Sequence, residues 1–305
     1  MKTFITIKIL LIFFLLGILN PIIAQTEELD ENLAYHTEEF RKKHHIKEVH
    51  QYEYNLKTGD SIPKFMKYYD SNGVLIKWID YKIESGKLTS TRYFNTFNED
   101  SLVIRTTGYV GKLSPNNVKS VLAFDYNDEG NKTACQSTND NGEVSSRIKY
   151  EYDELNRLAK VYNLDHHNKL VLTRHNVYDK KGNLVKVKHY TIRGTFAYAF
   201  NYKYDKDNRL TACYVRNKLY FKNTYNSKNL LTEVTYSSSS FTTINGNLSS
   251  NGIQKKYLYQ YDDIGNLLEI KTLHNDNLIK QVKYFYETFE GQYTFMPAEN
   301  SLLKK

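Results

Sequence analysis

Four sets of side chains in this 305-residue chain have types that can do chemistry. The first is the pair of cysteines, Cys135 and Cys213, which in an exported chain suggest a disulfide. The second is the histidine pairs His44-His45 and His166-His167, which suggest a metal. Neighbouring residues on a strand point to opposite faces, so such a pair alone is a poor chelator, and 166–167 reads as a turn. The third is the aspartates at Asp70, Asp153, Asp179, Asp205 and Asp262, which suggest a cation ladder, but the ligand spacing of calcium loops is absent. The fourth is the aromatic content, 27 Tyr, 15 Phe and one Trp. A ladder of exposed rings would stack on sugars or on an extended partner. Tyr152, Tyr178, Tyr204, Tyr261 and Phe241 are the candidate binding aromatics, and the competing reading makes such rings the core of a thin repeat protein. No G-x-S-x-G, H-E-x-x-H, phosphate loop or dinucleotide motif is present. Nothing singles out two carboxylates at the ~5–9 Å that glycoside hydrolysis needs. The expectation is a non-enzyme without metal or cofactor.

The elements that carry these residues repeat. Tyr152-Asp153, Tyr178-Asp179 and Tyr204-Asp205 are spaced by 26 residues, and fixed self-similarity of this kind marks a repeat architecture. With the aromatic as position zero, units start at Tyr69, Tyr126, Tyr152, Tyr178, Tyr204, Tyr225 and Tyr261, with a decayed copy at Phe97-Asn98. Position one is Asp or Asn, whose side chain starts a turn by bonding the backbone two residues on. Position four is Gly73, Gly130, Asn156, Gly182, Asn208, Asn229 or Gly265, residues that tolerate a left-handed backbone. Position six is Leu in every copy except Lys132, and position nine is apolar throughout. The aromatics of the incoming strand sit two apart, as in Tyr150 and Tyr152, which puts both rings on one face and predicts a ladder of stacked rings. Second turns fall near 139–142, 165–168, 193–194, 216–217 and 275–277. Each period is therefore two strands and two turns, and the fold class is all-β: an antiparallel hairpin array forming a curled or spiral sheet.

The motif YDKKGNL at Tyr178 to Leu184, with YDDIGNL at Tyr261 to Leu267, resembles the YD repeat of the RHS family. Tyr68 to Leu88 is also similar to MORN-like hairpin repeats. The RHS resemblance implies a hairpin array that curls into a spiral sheet, with roles in toxin-enclosing shells or in adhesion at cell surfaces. This chain is much shorter than a closed toxin shell, and it shows no self-cleaving core motif.

Residues 1–24 read as a secretory signal peptide: Lys2 and Lys8, an apolar run from Ile9 to Leu19, then Pro21 and Ala24. The run is shorter than the ~20 residues of a membrane span, so none is expected once the signal is removed. Residues 25–45 form an amino-terminal helix that caps the open edge of the sheet, with acids early and bases late to suit the helix dipole. Residues 46–290 are the repeat domain, interrupted by a Ser/Asn-rich loop at 237–252, and 291–305 are a tail. The cysteines share one column three periods apart. At ~4.8 Å per strand that separates them by ~29 Å, beyond the ~7 Å a disulfide allows, so both read as buried apolar side chains. Net charge is +8 for the whole chain, a modest basic excess that favours weak attraction to anionic polymers. No nucleic-acid motif accompanies it. The function expected is a secreted, periplasmic or cell-surface binding or structural module with a glycan or envelope protein as partner. The alternatives are a toxin-system component, as shell fragment or secreted immunity-like protein, and a cell-wall polysaccharide hydrolase.

Overall fold

The computed structural model describes residues 37–111, 117–165, 167, 169–237, 241–244, 247–250, 254–291 and 293–294. Apart from one short helix these residues form strands and turns. Helix α1 (Glu38–Lys43) is capped by Thr37, whose Oγ1 accepts from the Phe40 N–H at 3.1 Å. The predicted helix agrees with it over this last part, and its earlier residues lie outside the described ones.

The strands are β1 (Ile46–Tyr54), β2 (Ser61–Tyr69), β3 (Leu75–Glu84), β4 (Lys87–Phe97), β5 (Val103–Val110), β6 (Val118–Tyr126) and β7 (Lys132–Thr138). Then come β8 (Val144–Tyr152), β9 (Leu158–Leu164), β10 (Leu170–Tyr178), β11 (Leu184–Tyr190), β12 (Phe196–Tyr204), β13 (Leu210–Val215), β14 (Lys218–Tyr225) and β15 (Leu231–Tyr236). A short hairpin, β16 (Phe241–Ile244) and β17 (Asn247–Ser250), stands in the insertion that the sequence reads as loop. The chain ends with β18 (Lys255–Tyr261), β19 (Leu267–His274), β20 (Asn277–Thr288) and β21 (Tyr293–Thr294).

Each strand pairs antiparallel with its sequence neighbour, β15 passing directly to β18. β1 pairs with β2 on one side and with β20 on the other. The sheet therefore closes into a barrel of 18 strands, which corrects the expected curled or spiral sheet. Periodicity describes each hairpin but contains no information on whether the first and last meet. Closure also changes the job of α1, because the array has no open edge to cap. The helix sits instead at the rim beside the closing seam. Arg41 is buried, its Nε donates to the Gly73 carbonyl at 2.7 Å, and its guanidinium lies 4.4 Å from the Tyr69 ring centre.

An up-and-down barrel has two rims. One, the tyrosine rim, gathers the turns at 70–74, 98–102, 127–131, 153–157, 179–183, 205–209, 226–230 and 262–266, together with α1. The distal rim gathers the second turns and the insertion.

At the tyrosine rim each hairpin is built alike. Position zero pairs with position six, position minus one with position eight, and position minus two with position nine, as in Tyr204 with Leu210, Lys203 with Ala212 and Tyr202 with Cys213. One residue is thus bulged out at position seven. The bulge explains why positions six and nine, an odd interval apart, share the buried face. Trp78, Cys135, Val161, Val187, Cys213, Val234 and Ile270 are all buried. Tyr284 and Tyr286 are only 2% exposed on this face. Side chains converge on the concave side of a curved sheet, so this is the inner wall. The outer wall carries the position-eight charges Lys77, Arg105, Lys160, Lys186, Glu233 and Glu269. A lipid-spanning barrel requires an apolar outward band.

Candidate functional site

The side chains with chemical potential are mostly committed to this architecture. The hydroxyl of each repeat tyrosine after Tyr69 donates to the position-six carbonyl of the preceding unit. Tyr152 reaches Lys132 O at 2.9 Å, Tyr178 reaches Leu158 O at 2.9 Å, Tyr204 reaches Leu184 O at 2.9 Å and Tyr261 reaches Leu231 O at 2.8 Å. Tyr126, Tyr225 and Tyr286 do the same to Val103, Leu210 and Leu267. Phe97, the decayed copy, lacks the hydroxyl, and Asn95 Nδ2 bonds Leu75 O in its place at 2.8 Å.

Four of the five candidate aromatics are therefore half-buried and hydrogen-bonded on the inner wall. The side chain of the fifth, Phe241, lies outside the described residues. The stacking predicted for the repeat tyrosines is replaced by a ladder of hydroxyl–carbonyl bonds. Equivalent rings of successive units are two strands apart, about 9–10 Å, too far to stack. Rings do meet at other positions, such as Trp78 on Tyr93 at 4.6 Å and the run Tyr198, Phe200, Tyr220, Tyr236, Tyr257.

Tyr204→Phe should cost about 1 kcal/mol of stability. Tyr178→Phe should cost less, because Asn176 Nδ2 still bonds the same Leu158 carbonyl at 2.9 Å. Urea denaturation of the two variants checks the order; equal losses would contradict this role for Asn176.

The aspartates are equally spent. Asp179 Oδ1 accepts from the Lys181 and Asn183 N–H groups at 2.9 Å each. Asp205 holds Asp207 and Arg209 in the same way. The Arg209 N–H foremost, opposed by slight burial and aided by the Arg209 guanidinium, keeps the Asp205 carboxyl below the usual carboxylate range. All seven position-four residues have positive φ, from 58° at Asn156 to 99° at Gly265, as the turn chemistry requires. Carboxylates held low in this way are poor general acids.

Cys135 and Cys213 are free and buried, on β7 and β13. Burial pushes both thiols up, Cys135 to about 11, so neither is a ready nucleophile at neutral pH. A reductant should leave the melting temperature of the wild-type protein unchanged, and the expected free-thiol count after unfolding is two; a mixed or internal disulfide would lower it. No group of three or more His, Cys, Asp or Glu is placed to hold a metal among the described residues.

Charge is also distributed unevenly around the barrel. Residues 158–222, which run from β9 into β14, hold fourteen Lys or Arg against four Asp or Glu; Lys160, Lys186, Lys188, Lys203 and Lys222 stand on the outward strand face, and most of the others at the turns of the two rims. This net +10 exceeds the +8 of the whole chain, so the rest of the protein is slightly acidic. The sector also contains a shallow depression of about 580 Å³, over β10 to β12, lined by Lys181, Lys186, Lys188 and Lys203 and, toward the tyrosine rim, by the turn carboxylates Asp179 and Asp205. The aggregate charge hides this asymmetry; a running charge sum along the sequence would have found it.

No family model matches the chain, and no curated protein matches it. Among solved structures it is similar to a porin-like protein from Bacteroides uniformis, at 12% identity and a TM-score of 0.41, over 79% of this chain and 98% of that one. A porin-like protein from Bacteroides vulgatus is similar at 14% identity and a TM-score of 0.29, over 79% and 98%. The Photorhabdus luminescens Tc holotoxin pore is similar at 12% identity and a TM-score of 0.28, over 75% of this chain and 13% of that one.

Proposed function

We propose that this chain is an exported, non-catalytic binding barrel whose partner is an acidic glycan of the cell envelope, held along the basic outer wall of β9 to β14. The observation that carries this reading is the concentration of the positive excess in β9 to β14 and their turns, where Lys186, Lys188 and Lys203 border the depression on the outward face. Lysines spaced along a wall suit a repeating anion better than a small molecule, because no deep pocket is needed for each charge to find a partner. Catalysis is not part of the reading: the aspartates, tyrosines and cysteines described above serve turns, strands and core. Export rests on the signal-like residues 1–24, which lie outside the described ones.

The test is a glycan array probed with the processed chain, residues 25–305, beside Lys186→Glu/Lys203→Glu and beside a version lacking 237–252. Saturable, salt-sensitive binding to acidic glycans that the double variant loses supports the reading. Equal binding by the variant removes the wall from the proposal, and loss on deletion of 237–252 moves the site to the insertion. Binding to no glycan, with one protein co-purifying from the envelope, replaces the glycan with a protein partner.

A further inference from the structure

Among the described residues, exposed large apolar side chains are more numerous at the distal rim than at the tyrosine rim, which has Ile76, Ile104, Leu155, Ile264 and Phe289. Leu56, Ile83, Leu88, Val110, Val144, Leu170, Ile192, Phe196, Leu219, Leu278 and Ile279 all flank distal-rim turns. They decorate all eight of the short connections there. In the basic sector three consecutive turns combine both properties. Leu170, Ile192, Phe196 and Leu219 stand beside Lys169, Arg193, Arg216 and Lys218, all of them exposed. Ile192 is 85% exposed and Phe196 60%, and Phe196 is steadied by an edge contact with Tyr190 at 6.0 Å. The only carboxylate at these turns, Asp165, already accepts from the His167 and Lys169 N–H groups.

We propose that this part of the distal rim docks the protein on an anionic lipid bilayer, Ile192 and Phe196 entering the interface while the four cations meet headgroup phosphates. The charge decides the occupant. A second copy placed rim to rim would set these cations against their own kind. Isolated apolar tips flanked by lysine and arginine are what a bilayer interface accommodates, since apolar side chains enter the acyl boundary as the cations stay with the headgroups. A soluble acidic glycan gives no place for the tips, so this inference stands apart from the glycan reading.

The test is co-sedimentation of the processed chain with vesicles of phosphatidylcholine alone and with added phosphatidylglycerol. Wild type should bind only the anionic vesicles, more weakly as salt rises. Ile192→Ser/Phe196→Ser should reduce partitioning by about tenfold or more, from the apolar area no longer removed from water. Arg193→Glu/Arg216→Glu should abolish it. Both pairs are exposed, so an unchanged thermal melt shows that the barrel is intact. Dextran sulfate serves as a soluble polyanion: the serine pair should bind it as wild type does. No binding to anionic vesicles overturns the proposal, and so does vesicle binding that the serine pair leaves unchanged. Loss of glycan binding in Lys186→Glu/Lys203→Glu with vesicle binding retained would separate this surface from the glycan site.

Discussion

Gly73→Ala is expected to lower the stability of the barrel by about 2–4 kcal/mol, from a left-handed backbone and a blocked docking surface together. Gly73 has φ +80, a conformation that disfavours any Cβ. A Cβ built there would also meet Glu38 O at 2.5 Å and Lys42 N at 2.9 Å, both backbone atoms of α1. The helix would have to lift, taking Arg41 off the Gly73 carbonyl and off Tyr69. A guanidinium buried at that point and left without its acceptor adds to the cost. Gly182 provides the control. It occupies the same turn position at φ +90, with nothing within 4 Å of its Cβ. Gly182→Ala should therefore cost only about 1 kcal/mol of backbone strain. Guanidinium unfolding of both variants gives the comparison. Equal losses would show that α1 does not grip the rim in solution.

Lys132→Leu is expected to stabilise the protein by about 1–3 kcal/mol at neutral pH, the energy of keeping an ammonium on the inner wall. Lys132 stands at the position that is Leu in the other six of the seven Tyr units. Its Nζ lies 3.8 Å from the Phe124 ring centre, with the Tyr126 ring 6.0 Å away. Burial, only slightly offset by Cys135, lowers its pKa to about 8 from the ordinary 10.5. The unfolded chain then binds more protons than the native one between those values, so native stability rises with pH across that window. The penalty is fully present below pH 8 and disappears above 10.5. Leucine removes both the penalty and this slope. Stability curves of wild type and variant should converge as pH rises from 8 to 10.5; parallel curves would mean that the ammonium is solvated.

The seven position-four residues show how far local sequence reaches. Gly73, Asn156 and Gly265 were legible as left-handed positions because turn chemistry acts within five residues, and the structure finds positive φ at each. The decayed unit was legible for the same reason: Asn98 Oδ1 takes the Leu102 N–H at 2.8 Å, and Ser101 has φ +60. The separation of Cys135 from Cys213 followed from counting strands, because a meander converts sequence distance into sheet distance. The candidate aromatics were legible as repeat positions, but their role was not. Whether a Tyr hydroxyl meets solvent, a ligand or the carbonyl of the preceding unit depends on the register between strands, and a bulge at position seven sets that register.

The sequence by itself thus determined the hairpins, their turns, their apolar columns and the charge of residues 158–222. Only the tertiary structure decided that β20 returns to β1, because closure depends on the summed twist and bend of 18 strands and on no single residue. Closure in turn placed α1 over a seam instead of an edge. It gathered alternate turns onto opposite rims, and it set the cations of one stretch of sequence on adjacent strands and turns.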